Sequence, residues 1–257
     1  MAKPTLGVFG LTGCAGDQLV ILNCEDQLLQ LTELVDIKDF LMASSGNDEE
    51  CQLDVALVDG AVLSKRDEDT LMKIRERSKL LVALGTCAVW GGVAAMDRNG
   101  DRAKLVHQVY GDMGKKYDTL PARALHEVVK VDLNITGCPI EKSQLIAAVA
   151  SLLQGDPPLF PKYPVCSECR VRENNCLLEQ QGKVCCGPLT LAGCNALCPS
   201  FHRGCFGCFG PKETPNTDSL AAWMSQHGSS NNEIMRAFRS FNAYAEAFRK
   251  ESEAHEE

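Results

Sequence analysis

Short apolar runs recur along the first ~160 residues, each followed by a stretch with helical spacing. Thr5-Leu6-Gly7-Val8-Phe9-Gly10 is the first such run, and a glycine-bearing turn leads from it into a helical pattern from about Asp17 to Leu31. Asp54-Val55-Ala56-Leu57-Val58 and Leu80-Leu81-Val82-Ala83-Leu84 read as buried strands, ending at Asp59-Gly60 and Gly85-Thr86. A fourth strand is read at Lys130-Val131-Asp132-Leu133-Asn134-Ile135, ending at Thr136-Gly137. Helical patterns over Asp67–Arg77 and Glu141–Leu153 complete the alternation. Short strands buried on both faces and separated by helices predict a parallel, doubly wound α/β sheet.

The texture changes at Gly155-Asp156-Pro157-Pro158, and periodicity is lost until about Asp218. Such a segment has few apolar residues and needs a bound metal to hold it together. The tail regains a helical period. Ile234, Phe238, Phe241, Tyr244 and Phe248 recur at steps of 4, 3, 3 and 4, the signature of one amphipathic helix packed on its own chain or offered to a partner. The expected division is 1–160 for the α/β domain, 161–212 for the irregular segment and 213–257 for the helical tail.

Composition narrows the function. A net charge of −8 without a dense basic cluster argues against nucleic acid as a partner. No run of about 18 apolar residues is present, so no membrane span is expected. The start, Met1-Ala2-Lys3-Pro4-Thr5-Leu6, has no signal-peptide pattern, and a cytoplasmic location is expected. In a reducing compartment, 14 cysteines point to metal ligation rather than disulfides. Nine of the 14 lie between Cys166 and Cys208.

Cys14, Cys87 and Cys138 each follow a predicted strand in a glycine-bearing loop. Ligands of open α/β sheets bind at the carboxyl ends of strands, so these three thiols are expected to share one rim. Asp17 is the candidate fourth ligand, through its carboxylate, with a helix N-cap as the competing role. Downstream, Cys166-x2-Cys169-x6-Cys176-x8-Cys185 and Cys194-x3-Cys198-x6-Cys205-x2-Cys208 supply two sets of four thiols. Spacing alone admits two cubane clusters or two tetrahedral zinc sites, the latter describing an adaptor module without a redox role. Either Cys185 or its neighbour Cys186 can complete the first set, while Cys24 and Cys51 read as packing residues. The five histidines show no ligand spacing, although His202 stands between two of the cysteines. With no phosphate-binding loop and no nucleophile–base arrangement, the chain reads as a conductor rather than a catalyst and contributes no catalytic residue.

The ordered set Leu11-Thr12-Gly13-Cys14-Ala15-Gly16, Gly85-Thr86-Cys87-Ala88-Val89-Trp90-Gly91-Gly92, Gly137-Cys138-Pro139-Ile140, Cys185-Cys186-Gly187-Pro188, Gly193-Cys194-Asn195-Ala196-Leu197-Cys198-Pro199 and Cys205-Phe206-Gly207-Cys208 resembles the small, electron-transfer subunit of cytoplasmic nickel–iron hydrogenases. The delta subunits of sulfhydrogenases belong to that branch. The resemblance covers about residues 5 to 210. It implies a flavodoxin-like domain with a proximal 4Fe–4S cluster on Cys14, Cys87, Cys138 and, in departure from the usual cysteine, Asp17. It further implies a medial 4Fe–4S cluster on Cys194, Cys198, Cys205 and Cys208, and a distal one on Cys166, Cys169, Cys176 and Cys185. The implied partners are a large subunit carrying the nickel–iron site and a flavin- or ferredoxin-type subunit. A related reading, the complex I subunit beside its quinone site, resembles only the N-terminal part and carries an adjacent cysteine pair that is missing at Cys14.

Overall fold

The computed structural model describes residues 3–96 and 100–256, which divide into two compact units, Met1–Ile135 and Thr136–Glu257. In the first unit the chain runs β1 (Thr5–Gly10), α1 (Gly16–Leu22), α2 (Glu25–Leu34), β2 (Asp36–Phe40), β3 (Leu53–Asp59), α3 (Lys65–Glu76), β4 (Ser78–Leu84), α4 (Gly85–Trp90), α5 (Arg102–Tyr110) and β5 (Leu133–Ile135). The five strands form one sheet in the order β2-β1-β3-β4-β5, with every pair parallel. This is the flavodoxin-like winding, whose switch point lies between β1 and β3. The expected doubly wound sheet is therefore present.

Burial explains the pairing. Leu53, Ala56, Leu57 and Val58 of β3, and Leu81, Val82, Ala83 and Leu84 of β4, are all buried, as a strand covered by helices on both faces requires. Leu71 and Ile74 of α3 close one face over Leu53, Val58 and Leu81. Each such side chain withdrawn from water contributes roughly 1.5–3 kcal/mol. Helix α3 starts where Ser64 Oγ accepts the Asp67 amide at 3.1 Å, an ordinary N-cap.

Three expectations for this unit are corrected. The helical pattern read from Asp17 to Leu31 is two helices, broken at Asn23-Cys24. Glu25 there adopts φ 36°, and the buried Cys24 turns its thiol to the Val20 carbonyl at 3.2 Å. Strand β2 escapes an apolar-run reading because it is a polar edge strand. Its Asp36 and Lys38 pair at 2.7 Å, and Asp39 is buried against Arg77 at 2.6 Å. The fourth predicted strand shrinks to Leu133–Ile135 because Asp132 spends its carboxylate on the Leu81 amide and on Arg75.

The second unit holds α6 (Lys142–Gln154), α7 (Val165–Val171), α8 (Leu177–Gln181), α9 (Leu197–Ser200), α10 (Thr217–Gln226), α11 (Asn231–Arg239) and α12 (Glu246–Ala254). Its irregular segment is laced by backbone bonds rather than by a sheet. The Val165 amide donates to the Thr190 carbonyl, Ala192 to Tyr163, Leu191 to Gly210 and Cys186 to Cys205, at 2.9–3.0 Å.

The tail is a helix pair, α11 and α12, instead of the single helix expected. Ile234, Phe238 and Phe248 are fully buried in this unit, and Phe241 and Tyr244 fall in the connecting turn. The break has one local and one long-range cause. Ser240 Oγ donates to the Arg236 carbonyl at 2.6 Å, and the buried Asn242 amide donates to the Gly207 carbonyl. Both side chains compete with helix continuation. Among the described residues, no helix is long and apolar enough to cross a membrane.

Candidate metal centre

In the first unit, the loops leaving the carboxyl ends of the strands are stitched to one another. The Leu11 amide donates to the Asp59 carbonyl and the Ala61 amide to the Thr12 carbonyl, both at 2.8 Å, joining the exits of β1 and β3 at the switch point. Cys14 is exposed on this rim, and Cys87 is half-buried in the first turn of α4. Gly92, with φ 59°, lies so close to Cys87 Sγ that a side chain there would strike the sulfur.

Asp17 lies in the first turn of α1 but is not the helix cap, a position taken by Ala15. Its carboxyl is buried. It packs on Gly85, where a Cβ would collide with it, and it shares a hydrogen bond with Asp59 at the end of β3. Burial pushes the Asp59 carboxyl up, opposed by hydrogen bonds from Gln18, Asp17 and the Gly60 amide. The Asp17–Asp59 contact was outside sequence reasoning; an acidic residue closing each of two neighbouring strand exits is the signal that could have found it.

Within the second unit the thiols gather. Burial raises the Cys166 thiol to about 11, with Cys185, Cys169 and Cys176 adding to the effect in that order. Cys185 is pushed up by burial, relieved by the Cys205 and Gly187 amides, and raised again by Cys169 and Cys176. A Cβ at Gly187 would stand 3.4 Å from Cys185 Sγ and 3.5 Å from Cys166 Sγ, in ordinary contact with both, so Gly187 lies beside these two sulfurs. Cys166, Cys169, Cys176 and Cys185 thus form one neighbourhood. Cys186 is turned the other way. It is buried with its thiol 3.8 Å from the Ala237 carbonyl, and burial takes it to about 12.

Cys208 is raised to about 12 by burial, then by Cys194 and Cys138, while the Cys138 amide donates to its sulfur and Cys198 adds a further rise. Cys194 lies half-buried near Cys198, with amides of Leu197 and Ala196 directed at its sulfur. Cys194, Cys198 and Cys208 therefore neighbour one another, and Cys138 stands beside Cys208. Cys205 occupies the seam. Its amide donates to Cys185 Sγ at 3.2 Å, its own sulfur accepts from the Gly207 amide at 3.4 Å, and its strongest thiol neighbours are Cys186 and Cys185. His202 is exposed.

None of the 14 cysteines forms a disulfide. Among the described residues, no three Cys, His, Asp or Glu side chains are drawn close enough to hold one metal ion. Sulfurs that are largely desolvated, too far apart for one metal ion and met by backbone amides suit a multi-metal, sulfur-rich core. Amide hydrogen bonds to sulfur and burial are the means by which proteins tune such cores.

A doubly wound sheet with thiols at its strand exits, followed by a thiol-rich irregular segment, defines a class of redox subunit. Residues 14–152 match the family described as NADH ubiquinone oxidoreductase, 20 Kd subunit, and the chain belongs to that family, which includes the small subunits of nickel–iron hydrogenases. It is 40% identical over 215 residues to the delta subunit of sulfhydrogenase 2 from Pyrococcus furiosus, a match covering 84% of this chain and 90% of that one. It is 32% identical over 234 residues to one of the subunits of the vhu F420-non-reducing hydrogenase from Methanocaldococcus jannaschii, covering 80% and 81%. A chain in the crystal structure of an NAD+-reducing [NiFe]-hydrogenase in the H2-reduced state superposes with a TM-score of 0.56 at 25% identity, covering 62% of this chain and 96% of that one. The resemblance to hydrogenase small subunits read from the cysteine motifs is thus met by relatives that extend over most of the chain.

Proposed function

We propose that this chain is the electron-transfer subunit of a cytoplasmic nickel–iron hydrogenase complex, relaying electrons between a nickel–iron site on a large subunit and a flavin- or ferredoxin-type partner. The observation that carries the reading is the mutual neighbourhood of Cys166, Cys169, Cys176 and Cys185, together with a second group containing Cys194, Cys198 and Cys208. Three 4Fe–4S clusters are assigned: the first to Cys14, Asp17, Cys87 and Cys138, the second to Cys194, Cys198, Cys205 and Cys208, and the third to Cys166, Cys169, Cys176 and Cys185. Bound there, the clusters would supply one-electron centres.

The chain's own part is to bind, orient and desolvate. Buried thiols resist ionisation, so a bound cation is what stabilises them as thiolates and releases their protons. Amides of Cys205, Gly207, Ala196 and Leu197 then meet negative sulfur. Cys185 serves as the ligand, and Cys186 packs against the tail. For Asp17 to bind iron, its carboxyl must exchange Asp59 for the metal.

The test is a count of iron, acid-labile sulfide and zinc in protein purified without oxygen. About 12 iron and about 12 sulfide per chain are expected from three four-iron clusters. About two zinc with almost no iron would replace the relay with an adaptor held by two tetrahedral sites.

A further inference from the structure

Between Cys166 and Cys169 on α7 stands Glu168, whose carboxylate points away from that pair of thiols. Its Oε1 accepts the Gly193 amide at 2.8 Å and its Oε2 the Ala196 amide at 3.0 Å, so it grips both sides of Cys194. The gripped loop is bent against its preference. Gly193 adopts φ 133°, and Asn195 and Ala196 adopt φ 56° and 49° in succession. A left-handed alanine is strained, and amides turned inward around such a bend make an anion-binding nest, here those of Gly193 and Ala196, three residues apart. The anion in the nest is Glu168. Arg172, one turn further along α7, donates to the Asn195 carbonyl at 3.0 Å, and Asn174 donates to Ser200 Oγ at 3.1 Å.

We infer that Glu168 is a positioning residue that clasps the Cys194 loop to the Cys166–Cys169 helix and lowers the reduction potential of the centre held by the Cys194 thiol group. The inference rests on the proposed cluster reading and adds a residue to it. Two effects act in the same direction. A negative charge held on the amides either side of Cys194 opposes the arrival of an electron. In addition, the Ala196 amide is shared between Glu168 and the Cys194 sulfur, so the carboxylate withdraws part of a hydrogen bond that would stabilise the reduced state. Both carboxylate oxygens are engaged at the Cys194 loop, so the larger effect is expected on the Cys194 group.

The experiment is an EPR-monitored redox titration of the purified complex carrying Glu168→Gln, with Cys198→Ser used to assign the signal of the Cys194 group. Glu168→Gln is expected to raise that signal's midpoint by about a tenfold change in the oxidised-to-reduced ratio, ~59 mV for one electron, and to move the Cys166-group signal less. Glu168→Asp, which keeps the charge, is expected to remain near the wild-type potential. If Glu168→Gln instead sheds the iron of the Cys194 group alone and Glu168→Asp retains it, the clasp is supported directly. An unmoved potential with full iron content, or equal shifts in both signals, overturns the inference while leaving the cluster reading intact. A wild-type complex without either signal removes the cluster reading itself.

Discussion

The two compact units position chemistry by opposite means. In Met1–Ile135 the candidate residues sit where regular elements end, and a core of buried aliphatic side chains fixes those ends independently of any ligand. In the 165–208 stretch of the second unit, one cluster of buried residues is Val165, Ala196 and Cys205, with Cys169, Cys185 and Cys194 packed on it. There thiols make up much of the packing. The first unit is a scaffold to which a ligand can be added. For the second, the expectation is a segment whose folding and ligation are one process.

The sharpest test of this contrast is removal of bound metal by a chelator under anaerobic conditions. Peptide bonds between about 165 and 210 should become protease-sensitive while the β1–β5 sheet stays resistant, as read by limited proteolysis and mass spectrometry. Equal sensitivity of both units would erase the distinction.

Next in size are two core truncations. Phe238→Ala, in the tail helix packed edge-on to Phe248 at 5.6 Å between ring centres, should cost about 3–5 kcal/mol in urea denaturation and lower the iron content as well. Leu81→Ala, in the sheet, should cost about 2–5 kcal/mol with iron per folded chain unchanged. If Leu81→Ala also depletes iron from the two C-terminal groups, ligation in the second unit depends on the sheet and the contrast fails.

A smaller, pH-dependent effect belongs to Asp132. Burial would raise its carboxyl, but the Leu81 amide, Arg75 and Lys130 outweigh this and hold it below the usual carboxylate range. A carboxyl whose folded value is lowered stabilises the fold above its unfolded value near 3.9 and loses that contribution as pH falls through the folded value. Asp132→Asn should therefore destabilise the sheet at neutral pH by roughly 1.5–3 kcal/mol, and the gap to wild type should close in melts below about pH 4. Smallest is Ser64→Ala, which removes the α3 cap and should cost about 1 kcal/mol.

What the sequence made legible follows the same division. The buried strands were readable because parallel strands between helix layers are continuously apolar, as Leu80–Leu84 is. Edge strand β2 was not, because its carboxylates and lysine are satisfied by ion pairs that only the fold brings together. The tail's five-residue stripe gave correct burial for Ile234, Phe238 and Phe248, yet the break at Ser240–Ala245 depends on Asn242 finding the Gly207 carbonyl 35 residues away. For the site, cysteine spacing supplied the candidate ligands. Choosing Cys185 over Cys186, and seeing Asp17 against Asp59, required knowing which way side chains turn from adjacent positions on the chain.

The hold of Asn242 on Gly207 also has a meaning in time. The loop bearing Cys205 and Cys208 is synthesised 35 residues before the amide that closes on its carbonyl, and Phe248, which also packs on Gly207, follows later still. At about 5–20 residues per second, a ribosome leaves that loop without its latch for roughly 2–7 s. For that interval the Cys205–Cys208 loop lacks the contacts that Asn242 and Phe248 later make with Gly207.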